Sequence, residues 1–121
     1  VGVTVTTNRS VMFGSLSGDQ LGIWVAHGEG KFSLPYAEDK YNVVLKYSYD
    51  EYPANPNGSD YSVAGICSPD GRHLAMMPHL ERAFYPWQNA YYPADRLAQD
   101  VTPWMEAFVN ARKWVEANKQ A

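Results

Sequence analysis

In the run Met76-Met77-Pro78-His79-Leu80-Glu81-Arg82 an apolar stretch ends, and a histidine and a carboxylate follow with one residue between them. In an extended chain, side chains two positions apart share a face, so His79 and Glu81 would point the same way at the mouth of a sheet. An imidazole held by a carboxylate is how a general base and its orienting acid serve a nucleophile. The plainer reading of the same triplet is a loop histidine satisfied by solvent beside a surface acid. Cys67 is the only thiol. It closes the apolar run Val63-Ala64-Gly65-Ile66-Cys67, where a cysteine behaves as a small, inert hydrophobe. A nucleophile usually sits on a tight strand-to-helix turn, whereas Ser68-Pro69-Asp70-Gly71 leads back into a strand. The chain thus offers a base and an acid but lacks the nucleophile they would serve.

Two further constellations are chemically interesting. His27-Gly28-Glu29-Gly30 is either a strand-ending turn or a place where backbone N–H groups, an imidazole and a carboxylate meet a small polar ligand. Asn55-Pro56-Asn57-Gly58-Ser59 is a rigid turn, with a pocket wall as its functional alternative. His73 reads as an exposed hairpin residue. The histidines and Cys67 show no C-x-x-C or H-E-x-x-H spacing, so no metal is expected.

The elements that must position these groups are strands first. Residues 1–6 alternate Val with Gly or Thr, residues 10–16 could follow as a second strand, and 21–26 is a short apolar run. Residues 42–49 are strand-like, and 50–60 form a long polar loop. Residues 61–67 and 73–77 flank Ser68-Pro69-Asp70-Gly71 as a hairpin. Residues 83–92, rich in aromatics and proline, read as a helical turn followed by loop, with the cluster from Tyr85 to Tyr92 as a candidate interface. A helix is expected over 103–119, with Thr102 as N-cap, Pro103 in its first position, and Trp104, Phe108, Ala111 and Val115 as its buried stripe. The count is about six strands and one long helix, too few helices for an alternating parallel sheet. The reading is therefore α/β, the strand-rich later half of a larger unit.

The bulk composition narrows the function. A length of 121 residues suits one domain or part of one, and 45% hydrophobic residues can fill a core. The net charge is -3 and no basic stripe interleaves with aromatics, which argues against a nucleic-acid partner. Apolar runs fall far short of the ~20 residues of a membrane span. A single cysteine is compatible with a reducing cytosol. The chain opens on Val1 rather than Met and reads as a piece of something longer.

Four motifs in order complete the reading. They are Val25-Ala26-His27-Gly28-Glu29-Gly30-Lys31-Phe32, Tyr52-Pro53-Ala54-Asn55-Pro56-Asn57-Gly58-Ser59, the His79 run, and Pro103-Trp104-Met105 with Phe108 and Asn110-Ala111-Arg112-Lys113. Together they resemble the C-terminal part of the class I glutamine amidotransferase domain in the phosphoribosylformylglycinamidine synthase family, a ligase family of purine biosynthesis. The resemblance implies a flavodoxin-like domain of which residues 1–121 are a partial, C-terminal portion with the nucleophile half absent, ending in one long helix. It implies a Cys-His-Glu triad that hydrolyses glutamine through a glutamyl thioester, with His79 and Glu81 as base and orienting acid. It places the glutamine contacts at His27, Gly28 and Glu29.

Ammonia would pass to a synthetase domain of the same parent chain or complex. There ATP and magnesium activate formylglycinamide ribonucleotide for conversion to the amidine. This chain itself would need no cofactor and no metal. The implied compartment is the cytoplasm. The family reads Pro-His-Pro-Glu-Arg, so Leu80 replaces a proline and would relax the loop slightly. As a piece, the chain is expected to be inactive and to expose apolar surface that a second copy can cover. The rival readings are another class I amidotransferase or a γ-glutamyl hydrolase, and, from a different class, a non-catalytic β-rich binding module.

Overall fold

A computed structural model of the chain describes residues 1–26, 29–89, 92, 95 and 100–119. Five strands, β1 (Gly2–Val5), β2 (Gln20–Gly22), β3 (Asn42–Tyr47), β4 (Val63–Cys67) and β5 (Leu74–Met76), form one sheet in the order β2-β1-β3-β4-β5. Every pairing is antiparallel. One helix, α1 (Trp104–Ala117), closes the described chain. The α/β class is as the sequence suggests, with five strands among the described residues rather than six.

Alternation accounts for β1, where Val3 and Val5 face the core. In β3 the register shifts around Leu45, so Val44 and Leu45 are both buried although adjacent. Strand β4 lies inside the sheet, and Val63, Ala64, Gly65 and Cys67 are all buried. The β4–β5 hairpin turns as its residue types dictate. Asp70 accepts hydrogen bonds from Ser68 Oγ and the Arg72 N–H, and Gly71 adopts φ +75°. A Cβ on Gly71 would come within 2.0 Å of the Arg9 carbonyl oxygen, so the close approach of the two segments also requires glycine there.

Residues 10–16 are not a strand. Asn8 Oδ1 accepts the Ser10 N–H, Ser10 Oγ accepts from Met12 and Phe13, and a short 3-10 turn follows over Gly14–Leu16. Side-chain oxygens that cap local N–H groups outcompete a ladder, and Phe13 and Leu16 still reach the core. Strand β2 also stops early, at Gly22, and only Trp24 beyond it makes an isolated bridge, to His79.

Helix α1 starts on Pro103 without a side-chain cap; Thr102 Oγ1 donates instead to the Ala83 carbonyl at 2.7 Å. Its inner face runs along Trp104, Ala107, Ala111 and Trp114. Phe108 and Val115, expected inside, are 41% and 52% exposed. Trp104 anchors the helix by an indole N–H bond to the Gly22 carbonyl (2.9 Å) and an edge-to-face contact with Phe13 (5.9 Å between centroids). Asn110 donates to the Met12 carbonyl, and Arg72 lies over the Trp114 ring. Among the described residues no helix is long and apolar enough to cross a membrane.

Candidate functional site

Beyond β5 the chain continues straight for a short distance. The Met77 N–H donates to the Ala64 carbonyl, Pro78 is buried, and the His79 N–H donates to the Trp24 carbonyl at 2.9 Å. His79 is extended, with φ -112° and ψ 98°, and a 3-10 turn follows over Leu80–Arg82. His79 and Glu81 therefore do not sit on a continuous strand. The turn nevertheless brings them together, with His79 Nδ1 2.6 Å from Glu81 Oε1. Leu80, between them, is 5% exposed and belongs to the core, so the turn is nailed down by an apolar side chain at the position where the resembled motif has proline.

The electrostatics favour one proton arrangement. The bond from His79 is the first cause holding the Glu81 carboxyl below its ordinary value, against a smaller opposing effect of burial. An ionised carboxylate at Nδ1 selects the tautomer with the proton on that nitrogen. The Nε2 lone pair is then left outside the pair, as a base requires. The two side chains are 35% and 57% exposed, so the contact is open to solvent.

The other residues singled out by the sequence are placed differently. Cys67 is buried among core side chains, and burial is the first cause raising its thiol above the ordinary value. It pairs with Leu74 at the turn end of the hairpin, while His79 lies beyond Met76 at the opposite end of β5. Strand geometry thus separates thiol and imidazole. His73 is exposed in the hairpin. His27 and Gly28 lie outside the described residues; Glu29 is exposed in a bend.

The long loop proves to be a clamp on the segment that leaves Glu29. Asn55 is buried and exchanges hydrogen bonds with the Ser59 backbone. Ser59 Oγ accepts the Phe32 N–H, Asp60 Oδ2 accepts the Leu34 N–H at 2.8 Å, and Asn57 donates to the Gly30 carbonyl at 3.0 Å. Asn55, Asn57 and Ser59 are thus tied to the chain just after the His27-Gly28-Glu29 motif.

Trp24 carried no functional signal of its own in the sequence, whereas Tyr85, Trp87 and Gln88 fall in the cluster read there as a candidate interface. Trp24 donates its indole N–H to the Gln88 carbonyl at 2.6 Å, and with Val25, Arg82, Trp87 and Gln88 it borders a shallow groove beside the His79 turn. Tyr85 and Trp87 stack nearly parallel, and Trp87 is exposed next to that groove. A separate cavity of about 450 Å³ lies between β1, β2 and the start of α1, and includes Trp24 but neither His79 nor Glu81. Among the described residues no group of three or more His, Cys, Asp or Glu side chains is placed to hold a metal ion.

Comparison with known proteins completes the description. Residues 1–115 match the family described as CobB/CobQ-like glutamine amidotransferase domain. The chain is 41% identical to a protein of Arabidopsis thaliana named probable phosphoribosylformylglycinamidine synthase, chloroplastic/mitochondrial, over 95% of this chain and 9% of that protein. It is 42% identical to the human phosphoribosylformylglycinamidine synthase, over 93% of this chain and 9% of the human one. The chain thus spans about a tenth of the length of the curated relatives it matches. A chain in the solved structure of PurLQS from Thermotoga maritima superposes with a TM-score of 0.65 and 25% identity, covering 95% of this chain and 46% of that one.

Proposed function

The chain belongs to the CobB/CobQ-like glutamine amidotransferase domain family, and from that premise we propose that it is the C-terminal portion of a glutaminase domain in a phosphoribosylformylglycinamidine synthase. His79 is the general base and acid, and Glu81 orients it. His79 Nε2 takes the proton of a cysteine thiol supplied from outside these residues, and the thiolate attacks the side-chain carbonyl carbon of glutamine. His79 then returns the proton to the departing ammonia, leaving a glutamyl thioester. Next it takes a proton from water, which attacks the thioester, and glutamate and the thiol are released. Glu81 stays ionised and holds the imidazole in register throughout.

The single observation behind this reading is the 2.6 Å contact from Nδ1 to the carboxylate, which leaves Nε2 available. By the same reading His27, Gly28 and Glu29 bind the glutamine, and the loop carrying Asn55, Asn57 and Ser59 fixes Gly30 and Phe32, which follow them. The ammonia passes to a synthetase domain, where ATP and magnesium drive conversion of formylglycinamide ribonucleotide to the amidine. On this reading the chain itself need bind none of those cofactors. By the same reading the reaction takes place in the cytoplasm.

The test is glutamine hydrolysis by the full-length protein carrying His79→Ala. Turnover should fall on the order of 10²–10⁴-fold, the usual contribution of a positioned base. Unchanged turnover would remove His79 from the mechanism and favour a non-catalytic module. The 121-residue chain alone should show no glutaminase activity, because its one thiol is buried at the far end of the hairpin from His79.

A further inference from the structure

We propose that Trp24 is a positioning residue for the His79–Glu81 pair, an inference that rests on reading that pair as base and orienting acid. One residue makes two bonds to the segment carrying Glu81. Its carbonyl accepts the His79 N–H at 2.9 Å, where the segment begins. Its indole N–H donates to the Gln88 carbonyl at 2.6 Å, where the segment ends. The Gln88 end is itself fixed, since its N–H bonds the Tyr85 carbonyl and its side-chain oxygen accepts the Tyr85 N–H, each at 3.0 Å. Between the two ends, Thr102 Oγ1 holds the Ala83 carbonyl.

The backbone bond needs no particular side chain; the indole bond does. Strand β2 ends at Gly22, so the Trp24–His79 bridge stands outside the ladder and has no neighbouring pair to support it. Trp24 is 42% exposed, so packing alone does not explain a tryptophan here, whereas a long planar donor that spans from β2 to the Pro86–Gln88 turn does. Holding both ends of the segment limits how far the Leu80–Arg82 turn can slide, and with it the line from Nδ1 to Oε1.

The experiment is Trp24→Phe, which keeps an aromatic ring and removes the donor. A benzothiophene analogue incorporated at the same position removes only the N–H, and serves if Trp24→Phe fails to fold. In the 121-residue chain, imidazole nitrogen chemical shifts of His79 should move from one dominant tautomer toward a mixture, with the unfolding midpoint nearly unchanged. In the full-length protein, kcat for glutamine hydrolysis should fall about 10-fold with KM within about twofold, as expected of a misplaced catalytic group. An unchanged His79 tautomer overturns the proposal, as does a rise in KM at constant kcat, which would make Trp24 a substrate contact. If His79→Ala leaves turnover intact, the functional reading fails on that result alone, while the nitrogen shifts still decide whether Trp24 orients the ring.

Discussion

Glu81 and Leu80 act on His79 in different currencies, and the difference is measurable. The Glu81 carboxyl is held below its ordinary value chiefly by the His79 bond, so its contribution to stability is present above the unfolded-state value and is lost as pH falls through the lower folded-state value. The pair is exposed to solvent, which keeps that contribution under about 1 kcal/mol. Glu81→Gln should therefore be slightly less stable than the parent in denaturant at neutral pH, and the gap should close in acid. A gap that widened in acid would contradict the assigned direction. In the full-length protein the same change should lower kcat by up to about 10⁴-fold, because a neutral amide no longer selects the tautomer. Leu80, by contrast, is a core residue, and Leu80→Ala should cost about 2–5 kcal/mol, read as a lower urea midpoint. The pairing of His79 with Glu81 was legible from their spacing, although the extended geometry behind that expectation holds only to His79 and a 3-10 turn completes it. The burial of Leu80 was not legible there: a residue in place of the motif's proline is expected only to relax the loop, whereas Leu80 is 5% exposed and packs into the core.

At the scale of elements, α1 is attached to the sheet mainly through its first turn. Trp104 combines burial, an indole bond to Gly22 and the Phe13 contact. Trp104→Phe should lose the hydrogen bond and leave the Gly22 carbonyl without this partner, costing about 1–3 kcal/mol, and Trp104→Ala should cost about 3–5 kcal/mol. Urea titration followed by circular dichroism distinguishes them, and equal losses would mean that the indole N–H contributes nothing. The sequence showed the existence and extent of this helix, the β4–β5 hairpin and β3, because periodicity and turn residues act locally there. It showed the helix's inner face only in part: of the expected stripe, Trp104 and Ala111 lie inward, whereas Phe108 and Val115 are exposed. Trp104 starts two apolar rows, one through Phe108 and Val115 and one through Ala107, Ala111 and Trp114. Hydrophobicity favours the first, whereas close approach to the 10–16 turn favours the small residues of the second. Residues 10–16 failed as a strand for an equally local reason, since Asn8 and Ser10 satisfy the backbone that a ladder would need. The clamp of Asn55, Asn57, Ser59 and Asp60 on the segment after Glu29 is a long-range pairing that no spacing within either segment could display.

For the whole molecule, the row that α1 does not bury becomes the open question. Phe108, Val109 and Val115 are exposed beside Arg112, Lys113 and Glu116, so an apolar strip with both signs of charge runs along the outer side of the helix. We expect two copies of the 121-residue chain to cover this strip against each other. A two-fold contact places each side chain in the interface twice, and charges of both signs allow the helices to cross without like-charge repulsion. Val115→Lys removes apolar area from both sides and adds a desolvated cation. Because burying one valine is worth about 1.5 kcal/mol or more, the loss on two sides should weaken self-association by at least about 100-fold. Sedimentation equilibrium over a range of concentrations reads this directly. Pro103 and Trp104 lie at the other end of the helix, so the His79 turn and the Trp104 anchor should be undisturbed and the folded monomer retained. A parent chain that stays monomeric at the highest concentrations would show that the strip is tolerated in water, and the pairing of copies would be rejected.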